Sequence, residues 1–468
     1  MGQGLRAGAG RAIITPATGM PMGGWSNALH DRSDGNDLDL VGTVLAVTDG
    51  NTGAIQAELD LCLLSDGQSN VLRRAMGEAA GIRADNVRIT ATHNHSAPVT
   101  GELTGGGWMR DGLDEVEPYM ELVVERMAAA TAEAWRNLEP VTVGHGRGTS
   151  PLAVNRRVGL PGGGIRVGHA WDRPVDHTVR VARLDGAGGD PVSTIVHYSA
   201  HPTILAGGNH LINPEYPGPV RRVVEAEVGG RCLFLQGTPG DIGPVETFVD
   251  ELEPYHRLGA MLGHDATATA LRAGADPHRQ QVASSQDPST WLAFYEYAPP
   301  PPADHTLRVE RRIVPMPLRV DIGDPVEWRA RHRALQAELF AARERGASPF
   351  ELRELRVQTK GASMRAERAE ALAGLTHYPL EVHGLRIGPL AFVGVPLEPF
   401  IELGRAIEDR SPFPMTFVSG YTNGYRNYLP TAAEYARGGY EVDISSFTPD
   451  AADVYVEAAV SVLEAMAD

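Results

Sequence analysis

Cysteine is nearly absent from this 468-residue chain: Cys62 and Cys232 are its only thiols. Two cysteines build neither a disulfide-rich framework nor a sulfur-based structural zinc site, and two buried, reduced thiols are expected rather than a bridge. The opening MGQGLRAGAGRAIITP lacks the long apolar segment of a secretory signal, and no later stretch stays apolar for the length of a membrane span. Cytoplasm is therefore the expected location, with no transmembrane segment. Positive charge is scarce too, with 42 basic against 59 acidic residues and a formal net charge of -17. That balance argues against broad attraction to nucleic acid, and no basic run is interleaved with aromatics to make a local exception. The glycine-rich stretches RAGAG and GHGRG lack the remainder of a P-loop or a dinucleotide-binding turn.

What is present suits a large α/β protein. Hydrophobic residues make up 42% of the chain, enough for a substantial core. VGTVLAVTDG and GAIQAELDLCLLS are two extended apolar runs around an Asp-Gly-Asn-Thr-Gly turn at 49–53, a hairpin pattern. DEVEPYMELVVERMAAATAEAWRNLEP has helical spacing, with Met120, Val123, Val124, Met127, Ala130 and Ala134 on one face and Glu121, Glu125 and Arg126 outside it. HTVRVARLDGAGGDPVSTIVHYSAHP reads as a second hairpin, PVRRVVEAEVGG as a short helix and RCLFLQG as a strand. WRARHRALQAELFAARERG is a further helix, while LRIGPLAFVGVP and PMTFVSG favour strands. The expected fold is α/β, a mixed-sheet catalytic domain with surrounding helices spanning 1–468, with a two-lobed arrangement as the alternative. The proline-bearing stretch 280–325 reads as a linker or as a substrate-facing loop within that domain.

Two histidine segments invite metal chemistry. In ATHNHSAP, residues 91–98, His93 continues the alternating face of a strand through Val87, Ile89 and Ala91; His95 shares that face only if the extended geometry persists through Asn94. An HxH pair is also compatible with local hydrogen bonding at a strand end. In STIVHYSAHPTIL, Pro202 ends the strand and sets His201 at its rim, so His201 is the better ligand and His197 the better packing residue. Elsewhere, Asn209, His210 and Glu215 within 209–220 offer polar groups for a site wall. His210 is a ligand only if the fold returns it to His201. Arg221 and Arg222 read as surface charges.

These segments, in their order, resemble the zinc-dependent amidase domain of the neutral ceramidase family. The resemblance runs from RAGAGRAIITP at 6–16 through ATHNHSAP and HYSAHPT to GVPLEPFIELG at 394–404 and GYTNGYRNYLPTAAEYARGGYE at 420–441. It implies a Zn2+ held by His93, His201, Glu398 and Tyr428, with Tyr425, three positions earlier, as the rival for the last place. It implies proton handling by His95, and Arg156 (beside Asn155) and Tyr440 as groups supporting a developing tetrahedral species.

One departure bears on mechanism. The family's GDxSP serine is replaced by Gly243 in QGTPGDIGPV, and nearby Thr238, a substrate-binding candidate, does not restore the motif by spacing. Attack by metal-activated water on an N-acyl small molecule or ceramide-like amide is therefore the expected reaction. The length of the chain gives no sign of a large C-terminal module for membrane presentation, and bulky ceramide is expected to be a poor substrate. Ester or lactone hydrolysis on the same fold, and a noncatalytic metabolite- or carbohydrate-binding protein, are the competing expectations.

Overall fold

The computed structural model describes residues 4–22, 24–25, 27–100, 113–273, 280–282, 295–297, 302–321 and 323–468. Eight strands form the larger sheet: β1 (Arg6–Ile13), β2 (Val41–Thr48), β3 (Gly53–Leu59), β4 (Val87–Ala91), β5 (Glu139–Thr149), β6 (Thr178–Gly186), β7 (Pro191–Tyr198) and β8 (Arg231–Gln236). Their order is β8-β7-β6-β5-β1-β2-β3-β4, with parallel pairing only at the two ends, β7 with β8 and β3 with β4. A second sheet has the order β9 (Leu307–Pro317), β10 (His377–Ile387), β11 (Leu390–Gly394) and β12 (Met415–Ser419). Both sheets are mixed, as expected, and each is the centre of one of two lobes.

Both expected hairpins form. At the β2–β3 turn, Asp49 Oδ1 accepts from the backbone N–H groups of Asn51 and Thr52, and Gly50 takes the left-handed φ of 92° that the turn requires. Helices α1 (Asp66–Ala80) and α2 (Val116–Arg136) cover one face of the β1–β4 half, packing Leu72, Met76, Val123 and Met127 on Val44, Ala57 and Ile89. RAGAG has a packing purpose here. A Cβ at Gly8 or Gly10 would lie 2.2 Å from a carbonyl oxygen of α2, so the absent side chains let that helix approach β1. Helices α3 (Pro217–Val228) and α4 (Glu253–Arg272) cover the β6–β8 half in the same way.

The opposite face of the large sheet meets the second sheet. Leu45, Ile195, Leu233 and Leu235 share one core with Leu385, Leu390, Phe392 and Phe417, while the alternate residues Ala391, Val393 and Val418 face α7 (Ile401–Asp409) and α8 (Ala451–Ala467). Between β9 and β10 in sequence lies a helical hairpin, α5 (Pro325–Glu344) and α6 (Pro349–Ala371). Arg343 and Arg356 anchor it by ion pairs to Asp31 at 3.2 and 2.6 Å. Within 280–325, residues 283–294, 298–301 and 322 lie outside the described residues. The described parts include a short strand pair (Gln280–Val282 with Tyr295–Tyr297) and β9, so 307–317 is sheet rather than linker. Among the described residues no helix is long and apolar enough to cross a membrane. Cys62 and Cys232 are free and buried, as expected.

Candidate metal centre

The chain converges where the β4 edge of the large sheet meets the loop after β12. Asn423 donates its backbone N–H to the Ile89 carbonyl and accepts the Ile89 N–H on Oδ1, and Thr90 bridges Thr422. Just past β4, His93 donates its N–H to Leu61 and then adopts a left-handed φ of 64°. The extended geometry therefore stops before His95, and the alternating-face pattern does not extend to it. The turn nonetheless brings the two rings together, with Nε2 atoms 3.2 Å apart. A left-handed non-glycine residue costs about 1–2 kcal/mol, and the surrounding backbone bonds hold it in place.

His93 and His201 are oriented alike. His93 Nδ1 lies 2.9 Å from the Cys62 carbonyl, and His201 Nδ1 lies 2.6 Å from that of Pro239. A carbonyl only accepts, so each Nδ1 carries the proton and each Nε2 presents its lone pair. Both lone pairs face Glu398, whose Oε2 is 2.8 Å from His201 Nε2 and 3.5 Å from His93 Nε2. The three ligand atoms all lie within 4.8 Å of one another, and all three residues are buried.

Glu398 sits in a two-residue strand, Glu398–Pro399, paired in parallel with Tyr428–Leu429, so that Glu398 and Tyr428 are register partners. Tyr421 donates its hydroxyl to Glu398 Oε2 at 2.9 Å and Tyr425 donates to Oε1 at 2.5 Å. Tyr428 Oη instead lies 3.4 Å from His201 Nε2 and accepts from Arg156 Nη2 at 3.0 Å. The two rival tyrosines thus reach the same centre from a loop (Tyr425) and the short strand that follows it (Tyr428), not from a helix, and touch different parts of it. Tyr421, Asn423 and Asn427 all have positive φ in that loop. Asparagine accepts this conformation readily, whereas Tyr421 is held by its stacking on His93 at 4.2 Å between ring centroids.

The electrostatics suit a cation. Burial pushes the His93 imidazole down to about 4, and burial together with nearby Arg156 lowers that of His201. For Glu398, burial alone would raise the carboxyl, but the facing His93 and His201 rings and the Tyr425 hydroxyl outweigh it and hold it well below the ordinary range. Neutral imidazoles and an ionised carboxylate are the metal-ligating forms. A second grouping, Cys62, His93 and His95, is also compact. It suits a metal less well, because burial pushes the Cys62 thiol up to about 12 and the Cys62 carbonyl already takes His93 Nδ1.

Around this core the structure revises several sequence expectations. Arg156 is buried, with Nε donating to Glu441 at 2.9 Å. Arg157 pairs with both Glu434 and Glu441. Arg221 is likewise buried, paired with Glu58 and Asp60, which overturns its surface reading. His210 is remote from His201, pairing with Asp34 at 3.0 Å and stacking on His30. Thr238 lies against Gly404 of α7, within 2.4 Å of where a Cβ on that glycine would sit. His197 donates Nε2 to the Val418 carbonyl at 2.9 Å, in keeping with a packing role. The 209–220 stretch braces the HxH loop from behind, through Asn209 to Ser96 and through Asn94 to Asn213.

Gly243 lies in a short strand, Ile242–Pro244, antiparallel to Ala153–Asn155, and a Cβ there would meet only Arg156 Cβ, at 3.7 Å. A serine would therefore fit. Sequence reasoning missed Asp241, which accepts from Asn155 and from the Ile401 N–H and so ties three segments together. It also missed Tyr421, Glu441 and Lys360. The centre opens into a narrow cavity of ≈ 70 Å³, whose wall includes His95, Lys360, Met364, Asn427 and Tyr440. Tyr440 stands at its rim, about half exposed, 5.8 Å from the Tyr428 ring.

No protein-family model matches the chain. Two curated proteins are similar in sequence. The neutral ceramidase of Mycobacterium tuberculosis (strain ATCC 25618 / H37Rv) is 25% identical over 430 residues, covering 83% of this chain and 64% of that protein. The neutral ceramidase of Pseudomonas aeruginosa is 22% identical over 495 residues, covering 95% of this chain and 69% of that protein. The chain thus spans about two thirds of the length of these relatives. Among solved structures, a ceramidase complexed with C2 superposes with a TM-score of 0.70 at 19% identity, covering 99% of this chain and 75% of that one. The crystal structure of the Pseudomonas aeruginosa neutral ceramidase gives 0.68 at 19% identity, covering 99% and 74%.

Proposed function

We propose that this chain, whose sequence and fold point to the neutral ceramidase family, is a zinc-dependent amidohydrolase acting on an N-acyl small molecule in the cytoplasm. The observation that carries the reading is the convergence of His93 Nε2, His201 Nε2 and the Glu398 carboxylate within 4.8 Å, in the protonation states a cation requires. Tyr428 is the proposed fourth ligand, favoured over Tyr425 by its approach to His201 Nε2 and by the Arg156 cation at its oxygen. Zinc held there supplies Lewis acidity for the scissile carbonyl and lowers the pKa of a water molecule.

The remaining roles fall to the chain itself. Overall, water adds across the C–N bond to give a carboxylic acid and an amine. His95, with Nε2 beside His93 and a buried Nδ1 that has no hydrogen-bond partner among the described residues, takes the proton of the attacking water and returns it to the leaving nitrogen. Arg156 and Tyr440, both beside Tyr428, support the developing oxyanion. Gly243 offers no nucleophile, so no acyl-enzyme is expected. The small cavity favours compact amides over ceramide itself.

His201→Ala tests the reading. Zinc content by elemental mass spectrometry and turnover of short N-acyl amides should fall together, with the circular dichroism of the fold retained. Full zinc occupancy and near-normal turnover in this variant would refute the ligand assignment. A stoichiometric acyl adduct on the parent protein after rapid quench would refute direct attack by water.

A further inference from the structure

The metal cavity measures ≈ 70 Å³, far below the roughly 300–1,000 Å³ in which small-molecule sites hold their ligands. Even a short N-acyl amide therefore enters only if a wall moves. Glu398 and Tyr428 belong to paired strands, and His93 is bonded to Leu61 through its backbone, so that side is fixed. The opposite wall includes Lys360, Met364 and Glu367 of α6. Helix α6 packs on α5, and Leu339, Ala342 and Leu355 form a small core of their own, apart from the cores of the two sheets. The contacts that tie this hairpin to the rest of the protein include a charged clamp. Asp31 accepts from Arg343 Nη1 at 3.2 Å and from Arg356 Nη1 at 2.6 Å, and Arg356 Nη2 donates to the His30 carbonyl at 3.0 Å. Beside the clamp lies a second cavity of ≈ 290 Å³, lined by Leu29, Leu339 and Leu352 together with Asp31, Arg343 and Arg356. Packed interiors leave few voids larger than a water molecule, so at this seam charge holds the parts together where close packing does not.

We infer that Asp31 is a specificity-determining residue: by clamping Arg343 and Arg356 it sets how far the α5–α6 hairpin parts from the rest of the protein, and so the size of the substrate that reaches the metal centre. Its substrates are those of the amidohydrolase reading, on which that part rests; the motion rests on the hairpin and its seam alone. Arg356, Lys360, Met364 and Glu367 follow one another at helical spacing along one face of α6, so a shift at Asp31 carries the cavity wall with it. A site that must open before it binds has its apparent affinity reduced by the open fraction. Weakening the clamp therefore lowers KM, and does so most for the substrates that need the widest opening.

Three variants test the clamp. Asp31→Asn keeps the size of the side chain and removes its charge, Arg343→Met removes one of its partners, and Asp31→Glu keeps the charge. Hydrogen exchange followed by mass spectrometry reads the hairpin. In Asp31→Asn the peptides of α5 and α6 should exchange roughly 10-fold faster or more, the low end for one hydrogen bond to a charged group, while the large sheet exchanges as in the parent. Arg343→Met should give a smaller rise, and Asp31→Glu the smallest. Cys62 lines the cavity and reads its width without turnover. As-purified protein is treated with methyl or benzyl methanethiosulfonate, and peptide mapping separates Cys62 from Cys232. In Asp31→Asn the bulkier reagent should gain roughly 10-fold on the smaller one at Cys62. With N-acylglycinamides, the same variant should raise kcat/KM for the dodecanoyl over the butanoyl compound by a similar factor, mainly through KM. Unchanged hairpin exchange in Asp31→Asn would overturn the inference. So would faster exchange with the reagent preference unchanged, or with amides cleaved at an unchanged acyl-length preference. A wider cavity at Cys62 in a protein that cleaves no amide would sink the amidohydrolase reading and leave the clamp standing. Should the large sheet also loosen in Asp31→Asn, the same readouts on Arg343→Met decide.

Discussion

Replacing each rival tyrosine by phenylalanine separates a metal ligand from its support. In Tyr425→Phe, Glu398 loses the hydroxyl that donates to Oε1 at 2.5 Å but keeps the Tyr421 hydroxyl on Oε2. A hydrogen bond to a charged group is worth about 1.5–3 kcal/mol, and groups supporting a ligand typically cost 10- to 100-fold in metal affinity. With the Tyr421 donor remaining, a loss near the lower end, roughly 10-fold, is expected. In Tyr428→Phe the oxygen beside His201 Nε2 disappears, and with it the acceptor of Arg156 Nη2. If that oxygen is a ligand, zinc affinity should fall at least roughly 10-fold further than in Tyr425→Phe. The metal-free protein should also lose about 1–3 kcal/mol, because a buried guanidinium nitrogen is stripped of a partner. Competitive zinc titration against a chromophoric chelator gives the first quantity and urea unfolding of the metal-free protein the second. If Tyr425→Phe weakens zinc as much as Tyr428→Phe or more, the reasoning is wrong and the ligand is Tyr425 or neither.

Two further outcomes follow from the buried charges. Burial holds His197 down to about 3, so between pH 6.5 and pH 4 the unfolded chain binds a proton that the folded one refuses, and stability is lost as pH falls through that window. His197→Gln should remove about 3 kcal/mol of the stability difference between pH 7 and pH 4; an acid limb identical to the parent's would contradict this. Arg221→Met strands Glu58 and Asp60, both fully buried, and should cost about 3–5 kcal/mol in urea unfolding at pH 7, with Glu58→Gln restoring part of it. A loss under about 1 kcal/mol would show that the triad is not holding β3 to α3.

Much of the scaffold was legible because its signals are local. The β2–β3 hairpin is written in Asp49 and Gly50, and α2 in an apolar stripe of period 3.6. Helix α6 shows why other elements were not. Its buried face includes Thr359, Lys360, Ala362, Ser363 and Ala366, small or polar side chains that make no apolar stripe, so the helix and its cavity lysine went unread. Helix α1 is similarly polar, and its start is fixed by a capping box between Ser65 and Gln68. The metal residues come from segments far apart in the chain, and each alone has an ordinary structural explanation. Only the order of several motifs, read as a resemblance, pointed to their meeting. Arg221 was misread because Arg222 beside it suggests a solvated pair, whereas its carboxylate partners lie more than 160 residues earlier.

The charge balance of the centre explains why Tyr428 matters beyond geometry. Arg156, Arg157 and Arg173 face Glu434 and Glu441 in one buried network, and Glu398 adds a third carboxylate beside imidazoles that burial keeps neutral. With half-exposed Arg437, 3.8 Å from Glu434, four guanidiniums thus stand against three carboxylates. A divalent ion held by His93, His201 and Glu398 would bring two uncompensated charges into that low-dielectric space. Burial pushes the Tyr428 phenol well up, yet Arg156 pulls it the other way and already donates to its oxygen. In the proposed site, the Tyr428 phenol, beside both His201 Nε2 and Arg156, is thus a group that would release a proton to the ion and offset one charge. That assigns Arg156 two tasks at one position, holding Glu441 through Nε and polarising Tyr428 through Nη2. Lysine could not do both, because it lacks the planar fork that spans the two acceptors.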